Sequence, residues 1–427
     1  MKIVVIGMGK IGLPLAVSFA LTGHKVVGLD IQKDVVASIN NGTEPFPGEA
    51  NLEKFLNQVL RNENFYATTE FAATLSMADV VVVCIPLMLN DSGQPDFTNI
   101  DNLVIEIGKF IKSNVLISFE TTLPVGTTRN RFTLILEKES RMKVGQDFYV
   151  VFSPERVMTG RIFEDLRRYP KLVGGVTQNC SKRGVLFYRS VMAFDVRSDL
   201  VQDNGVWEME NAEAAEFTKI AETTYRDVNI GLANEFAVFA RKNSIDILQV
   251  IEASNSQQYS HIHTPGLSVG GHCIPVYPKF YSWVNSESQI AQAARDRNLS
   301  MPINAINQIK EIHKDLNGLK IGVLGITYRP GVKEVALSGA LVLLELLKSE
   351  GAYVFGDDPF LNQEEITALG FDNSRLPDDL DGLILHTAHS IYQDFDFSLF
   401  KKLAFFYDGR NSHAFLKHQD KFNYFSI

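Results

Sequence analysis

Lys2-Ile3-Val4-Val5-Ile6-Gly7-Met8-Gly9-Lys10-Ile11-Gly12 opens the chain, and its reading decides the fold. Lys2 to Ile6 is a short β-branched apolar run, which predicts a buried strand. A G-x-G-x-x-G turn follows directly, Leu13 to Leu21 reads as a helix, and Lys25 to Leu29 as a second strand closing on Asp30. Strand, glycine turn, helix, strand and acid come in the order a dinucleotide site requires. Gly7 makes the tight turn, Gly9 lets a pyrophosphate approach the backbone, and Gly12 lets helix and strand pack closely. The amino end of the helix favours phosphate charge. Asp30 is placed to accept hydrogen bonds from ribose hydroxyls, which selects NAD over its 2′-phosphorylated form. The alternative is a glycine-rich turn in an α/β sheet that binds nothing.

Moving outward, Val80 to Ile85, Val115 to Ser118 and Phe148 to Phe152 read as further short strands. Ligands bind beyond the carboxyl ends of parallel strands. The candidates are therefore Pro86, the run Glu120 to Thr127, and Ser153-Pro154-Glu155-Arg156. Cys84 falls inside its predicted strand, where packing is the expected role. Glu155 sits in a proline-flanked loop, and a solvated carboxylate is the plain alternative for it.

Asn211 to Lys242 has no proline and only Gly231 in its interior, and predicts a long helix. Ala214, Phe217, Ile220, Ala221, Tyr225, Val228, Leu232 and Phe236 recur at three- and four-residue steps, a stripe for the core or a subunit contact. Lys219, Thr223 and Arg226 share a neighbouring face. Lys320 to Gly325 begins a second α/β unit, with a helix near Ala340 to Ser349 and strands at Tyr353 to Phe355, Leu383 to His386 and Ala404 to Tyr407. It has no G-x-G-x-x-G, so a Rossmann-like sheet binding something other than the dinucleotide is expected. Two such sheets joined by a long helix would form a cleft for a substrate.

Gly266-Leu267-Ser268-Val269-Gly270-Gly271-His272-Cys273-Ile274-Pro275 places a cysteine directly after a glycine-rich turn, where a thiol can meet a bound molecule without crowding. Cys273 is the best nucleophile candidate, with a buried structural cysteine as the alternative. His261, His263 and His272 lie nearby, but their spacing matches no standard zinc pattern, and no metal is expected.

The length of 427 residues suggests two or three domains. A net charge of −9 without a basic cluster gives no footprint for nucleic acid. Three scattered cysteines cannot make a disulfide framework, which points to a reducing compartment. No apolar run reaches membrane-spanning length, and the apolar start breaks at Gly7, so a cytoplasmic protein is expected.

Together, GMGKIGLPLA, ETTLPVGTT, SPERVMTG, KIAETTYRDVNIGLANE, PGLSVGGHCIPV and VLGITYRPG resemble the UDP-glucose/GDP-mannose dehydrogenase family over essentially the whole chain. The resemblance implies two Rossmann-like doubly wound α/β domains joined by a long central helix and a helical middle domain. It divides the chain into residues 1–200 for NAD, 201–310 for dimerisation and the catalytic Lys and Cys, and 311–427 for UDP. Ser153 to Met158 and Tyr225 to Asn229 are similar to the branch that oxidises UDP-N-acetyl-mannosamine or UDP-N-acetyl-glucosamine to the uronic acid. UDP-glucose is the alternative substrate.

By the same resemblance, Cys273 carries the aldehyde as a thiohemiacetal and then a thioester. Lys219 stabilises the reacting oxygen, Glu155 handles the hydrolytic water, and Thr122 lies near the nicotinamide. NAD contacts are implied for Gly7, Met8, Gly9, Lys10, Ile11, Gly12, Asp30, Lys33, Pro86, Thr122 and Glu155. Nucleotide-sugar contacts are implied for Glu155, Arg156, Val157, Lys219, Thr223, Arg226, Tyr259, Gly266, Gly270, Tyr328 and Arg329. A homodimer through the long helix is implied too.

Four positions depart from the family pattern. Thr223 stands in place of Asn, Tyr277 in place of Asp, Ala336 in place of Arg, and Pro86-Leu87-Met88 in place of Pro-Thr-Pro. Asn255 to Tyr259 also lacks the usual His-Pro-Arg. These keep open a catalytically impaired relative that binds both ligands. A two-electron alcohol dehydrogenase is the third reading, and it gives Cys273 no task.

Overall fold

A computed structural model of the chain describes residues 1–373, 375–412 and 422–427. They form two compact units, Met1–Ala221 and Glu222–Ile427, and the boundary falls inside the helix Ala212–Lys242.

The strands of the first unit are β1 (Lys2–Ile6), β2 (Lys25–Leu29), β3 (Phe65–Thr68), β4 (Val80–Val83), β5 (Met88–Leu89), β6 (Pro95–Asp96), β7 (Leu116–Phe119), β8 (Tyr149–Phe152), β9 (Lys171–Gly175) and β10 (Val206–Glu208). β5 and β6 form a small antiparallel pair. The others make one sheet in the order β10-β9-β8-β7-β4-β1-β2-β3. Every pairing is parallel except β8 with β9. The central strands are buried throughout, as in Val80–Val83 and Leu116–Phe119, because helices cover both faces of such a sheet. The chain leaves β1 for β2 on one side and returns to β4 on the other. That reversal opens a crevice at the carboxyl ends, above the glycine turn.

The predicted strand Val80 to Ile85 is shorter than expected, ending at Val83, so Cys84 lies one residue beyond it and is half-buried. Pro86, without an N–H, cannot continue the ladder. The strand expected at Val115 to Ser118 is shifted by one residue, and the next begins at Tyr149 rather than Phe148.

In the second unit the helices Ile247–Asn255, Cys273–Val284 and Gln289–Ile312 precede a parallel sheet. Its strands are β11 (Lys320–Leu324), β12 (Tyr353–Asp357), β13 (Gly382–Leu385), β14 (Phe405–Asp408) and β15 (Asn423–Ser426), in the order β12-β11-β13-β14-β15. Ile321, Val323, Ile384 and Phe405 from the sheet pack with Leu343 and Leu347 of the helix Gly339–Ser349 in one core. This is the second doubly wound sheet that the segment from Lys320 predicts.

The apolar stripe of the long helix divides. Ile220 is buried, whereas Phe217, Tyr225, Leu232 and Phe236 are exposed, and Phe239 extends their row. Among the described residues no helix is long and apolar enough to cross a membrane.

Candidate functional site

Two glycines of the turn after β1 have a steric reason within the chain, and the third lies open. Gly7 has φ +92° and donates its N–H to Leu29 O at 2.9 Å. A Cβ on Gly12 would lie 1.8 Å from Gly7 O, so only glycine lets helix and strand approach there. A Cβ on Gly9 would meet nothing within 4 Å, so the turn is open at that point. Asp30 clasps this turn: Oδ2 accepts from Met8 N–H at 2.8 Å and Oδ1 from Gln32 N–H at 2.9 Å. Gly9 and Lys10 border a cavity whose other walls include Glu44, Phe46 and Thr159. Ile11 precedes the helix Gly12–Leu21, Lys33 starts the helix Lys33–Asn40, and Pro86 is exposed beyond β4. An open Gly9 at the amino end of a helix fits a dinucleotide pyrophosphate.

Beyond β7, Thr122 is buried in the loop Glu120 to Thr128. Glu216 of the long helix holds that loop. Its carboxylate accepts from Gly126 N–H at 2.6 Å, Thr128 N–H at 2.8 Å and Thr128 Oγ1 at 2.6 Å. Burial outweighs these donors and pushes the Glu216 carboxyl up to about 7. One turn further, Lys219 is buried rather than solvated, and its Nζ donates to the Glu155 carbonyl at 2.6 Å. Lys219 and Glu155 are thus brought together. Arg156 and Val157 follow half-buried, with Arg156 Nη1 3.4 Å from Pro170 O.

The Glu155 carboxylate is not a solvated loop acid, because it bonds Lys171 Nζ, the first residue of β9. Lys171 also reaches Glu120 Oε2 at 2.5 Å and the Ser153 carbonyl at 3.4 Å. Tyr188, on the helix Gln178–Val191, bonds Glu120 and lies 2.6 Å from Ser118 Oγ. Burial pushes the Glu120 carboxyl up to about 8 despite the Lys171 charge beside it. Burial alone would lower Lys171, but Glu120 and Glu155 outweigh it and hold its ammonium. Burial, then the same two carboxylates, push the Cys84 thiol well up.

In the second unit Cys273 is exposed and begins the helix Cys273–Val284, whose amino end favours negative charge. The loop leading to it is pinned along its length. Gly266 N–H donates to Asn234 Oδ1 at 2.8 Å, Leu267 N–H to Gly409 O at 3.0 Å, and Gly271 N–H to Ala336 O at 3.0 Å. His386 accepts from Ser268 Oγ at Nε2 (2.8 Å) and donates from Nδ1 to Gly325 O (2.8 Å); burial pushes it down to about 3 and keeps it neutral. A Cβ on Gly270 would lie 2.7 Å from Tyr328 Cβ, and one on Gly266 2.9 Å from Arg410 Nη1. These glycines therefore serve close packing as well as access. Arg329 Nε donates to the Tyr328 hydroxyl at 3.0 Å.

Below this loop lies a buried pair. Arg295 Nη1 meets Asp227 Oδ1 at 2.9 Å, and Asn298 Nδ2 donates to the same oxygen at 2.7 Å. Asn298 Oδ1 accepts from Asn234 Nδ2 at 2.8 Å, and so links the pair to Gly266. Thr223 is fully buried, and Arg226 Nε is 3.3 Å from Glu222 O. Tyr277 packs edge-on to His272 at 5.7 Å. Tyr259 is the outlier, 83% exposed. Among the described residues no group of three or more His, Cys, Asp or Glu side chains is placed to hold a metal ion.

The second sheet repeats the clasp of the first. Gly325, with φ +81°, follows β11 and donates to Asp357 O at 2.8 Å, and Asp358 Oδ2 accepts from Ile326 and Thr327 N–H, both at 2.8 Å. Here the turn is filled: Thr327 is buried, and its Oγ1 lies 2.9 Å from Asp358 Oδ2 and from His389 Nε2.

Sequence reasoning missed Lys171, Glu216, Arg295 and Arg410. A lysine heading a five-residue apolar run after Pro170 hides β9. Arg410 was findable, because it follows β14 just as Glu155 follows β8, and the rule about strand ends applies to both sheets.

Family models match three segments. Residues 1–192 match the UDP-glucose/GDP-mannose dehydrogenase family NAD binding domain, 213–300 its central domain and 322–414 its UDP binding domain. A UDP-N-acetyl-D-mannosamine dehydrogenase of Pyrococcus horikoshii is 31% identical over 96% of each chain. One of Campylobacter jejuni is 32% identical over 82% of this chain and 84% of its own. The solved structure of a UDP-D-ManNAc dehydrogenase from Pyrococcus horikoshii superposes with TM-score 0.90 at 29% identity, covering 100% of this chain and 99% of that one.

Proposed function

The chain belongs to the UDP-glucose/GDP-mannose dehydrogenase family, and from that premise we propose that it oxidises C6 of a UDP-N-acetylhexosamine to the carboxylate through Cys273. It is an NAD-dependent nucleotide-sugar dehydrogenase. UDP-N-acetyl-mannosamine is the first substrate to test, because the two relatives above carry that name. The observation that carries the reading is an exposed Cys273 thiol at a helix amino end, behind a loop fixed at Gly266, Leu267, Ser268 and Gly271.

NAD, when bound, accepts the hydrides; Gly7 to Gly12, Asp30, Lys33, Pro86 and Thr122 would hold it. The rest is the work of this chain. Cys273 Sγ adds to the C6 aldehyde and retains it as a thiohemiacetal, and the sugar then remains on sulfur as a thioester. Lys219 stabilises the charge on the reacting oxygen, and Glu155 takes the proton of the attacking water. Water oxygen bonds to the acyl carbon, the C–S bond breaks, and Cys273 leaves as thiolate. Arg156, Val157, Thr223, Arg226, Tyr259, Tyr328 and Arg329 would contact the nucleotide sugar, and arginine suits its pyrophosphate by bidentate pairing.

In this reading residues 1–200 serve NAD, 201–310 carry the reacting Lys and Cys, and 311–427 hold UDP. The exposed row Phe217, Tyr225, Leu232, Phe236 and Phe239 supports a homodimer through the long helix, and the protein works in the cytoplasm. Thr223 and Tyr277 favour a second reading, a slow or inactive binder of both ligands, because a shorter hydroxyl and a phenol ring stand where the family pattern has Asn and Asp.

A panel of UDP-sugars with NAD, read by NADH and product mass, decides. Two NADH per acid, with free-acid formation lost in Cys273→Ser, is the expected result. One NADH per aldehyde, or wild-type acid release by Cys273→Ser, refutes the covalent route. Ligand binding without NADH establishes the binder.

A further inference from the structure

Glu155 sits at the edge of a buried ionic cluster built from five elements. Lys171 comes from β9, Glu120 follows β7, Glu155 follows β8, Tyr188 comes from the helix Gln178–Val191, and Cys84 follows β4. Lys219 adds a sixth contact, through the Glu155 carbonyl rather than the carboxylate. The side chains of Lys171, Glu120 and Glu155 are 3%, 1% and 8% exposed. The three donors of the Lys171 ammonium match its three partners: the Glu155 and Glu120 carboxylates and the Ser153 carbonyl. The ring of Tyr188 covers the same ammonium, with its centroid 4.9 Å away.

One ammonium cannot balance two buried carboxylates. A cluster of this composition, enclosed, retains one proton on a carboxyl. Glu120 is the more enclosed acid, and it continues inward through Tyr188 to Ser118 rather than outward to solvent. Glu155 lies at the rim, with its carboxylate against the Lys171 ammonium.

We propose that Lys171 is the positioning residue of Glu155: its ammonium, seated between the Glu155 and Glu120 carboxylates and the Ser153 carbonyl, holds the Glu155 carboxylate in place and aimed, while Glu120 is tied inward through Tyr188. Lys219 fixes the same residue from its other end. The proposal rests on the reading of Glu155 as the group that takes the proton of the hydrolytic water. Lys171 never touches the substrate. Its effect reaches the chemistry through the orientation of Glu155, so it acts on thioester cleavage and on neither oxidation.

The test uses the full chain with NAD and UDP-N-acetyl-mannosamine. Lys171→Met should form both NADH in a burst of one turnover, slow acid release about a hundredfold, and accumulate an acyl adduct on Cys273 visible in the intact mass. Lys171→Arg, which keeps the cation, should restore most of the release. Acid release by the wild type should show a step near pH 8, where burial places the Glu120 proton, and Glu120→Gln should lack that step. Wild-type release by Lys171→Met overturns the proposal, and so does Lys171→Arg that is no better than Lys171→Met. If Lys171→Met does not fold, a step near pH 8 that persists in Glu120→Gln overturns it. Glu155→Gln separates the two readings: wild-type acid release by that variant removes the role of Glu155 itself, whereas a slow Glu155→Gln beside a fast Lys171→Met removes only the role of Lys171.

Discussion

Replacing Glu216 by Gln tests how the first unit holds the Thr122 loop, and it has a defined sign with pH. The Glu216 carboxylate accepts three hydrogen bonds from Gly126 and Thr128. Such donors alone would hold it ionised, but burial prevails and raises it from 4.5 to about 7. Below pH 4.5 the group is protonated in both folded and unfolded chains, and its stabilising share is complete. As pH rises the unfolded chain releases the proton first, so stability falls and the share is lost through about pH 7. The interval from 4.5 to about 7 is worth ~3 kcal/mol, of which ~2.5 kcal/mol falls between pH 5 and 8. The amide that replaces the carboxyl in Glu216→Gln has no proton to lose. The assay is urea unfolding of the wild type and Glu216→Gln across that range, with the wild type expected to lose ~2.5 kcal/mol relative to the variant. In thermal unfolding the same loss is about 5–10 °C for a unit of this size. Parallel curves, or a wild type that gains on the variant as pH rises, would show that the three donors keep Glu216 ionised and would refute the reasoning.

Three further outcomes are expected. Arg295→Met leaves Asp227 buried with Asn298 alone and should cost about 3–5 kcal/mol, whereas Arg295→Met with Asp227→Leu should recover most of it; equal losses in both would contradict a true ion pair. NAD should be preferred over NADP, because a 2′-phosphate would meet Asp30 at short range, and comparable catalytic efficiency with the two would remove that role from Asp30. Light scattering at micromolar concentration should give a dimer, and Leu232→Asp with Phe236→Asp should give a monomer; a monomeric wild type ends the proposal for this helix face.

Much of this was legible from short-range pattern. A β-branched run followed by G-x-G-x-x-G can do little except turn from strand to helix; Gly7 and Gly12 take the steric roles that spacing assigns, and Gly9 is left open. The long helix was equally clear, because about thirty residues without proline leave few choices. What stayed hidden is what depends on partners far away in sequence. Lys171 gains its meaning from Glu120 and Glu155, and Glu216 from Gly126 and Thr128, and no local period marks either. Lys219 has the converse history: helical position alone argues for solvent, and the fold buries it against the Glu155 carbonyl. The stripe from Phe217 to Phe236 combined two faces, since periodicity cannot separate residues covered by their own chain from residues left exposed.

The two clasped turns, at Gly7 with Asp30 and at Gly325 with Asp358, are one joint made twice, with opposite uses. In the first copy the backbone opens at Gly9, and Asp30 bonds the Met8 N–H. In the second, Thr327 stands two residues after the turn glycine, where Gly9 stands in the first, and Thr327 and His389 both reach the Asp358 carboxylate. Side chains act there as a permanent internal ligand, which converts a cradle into a rivet. The stoichiometry follows: a calorimetric titration should saturate at one dinucleotide per polypeptide, although the chain contains two sheets of the type that binds one.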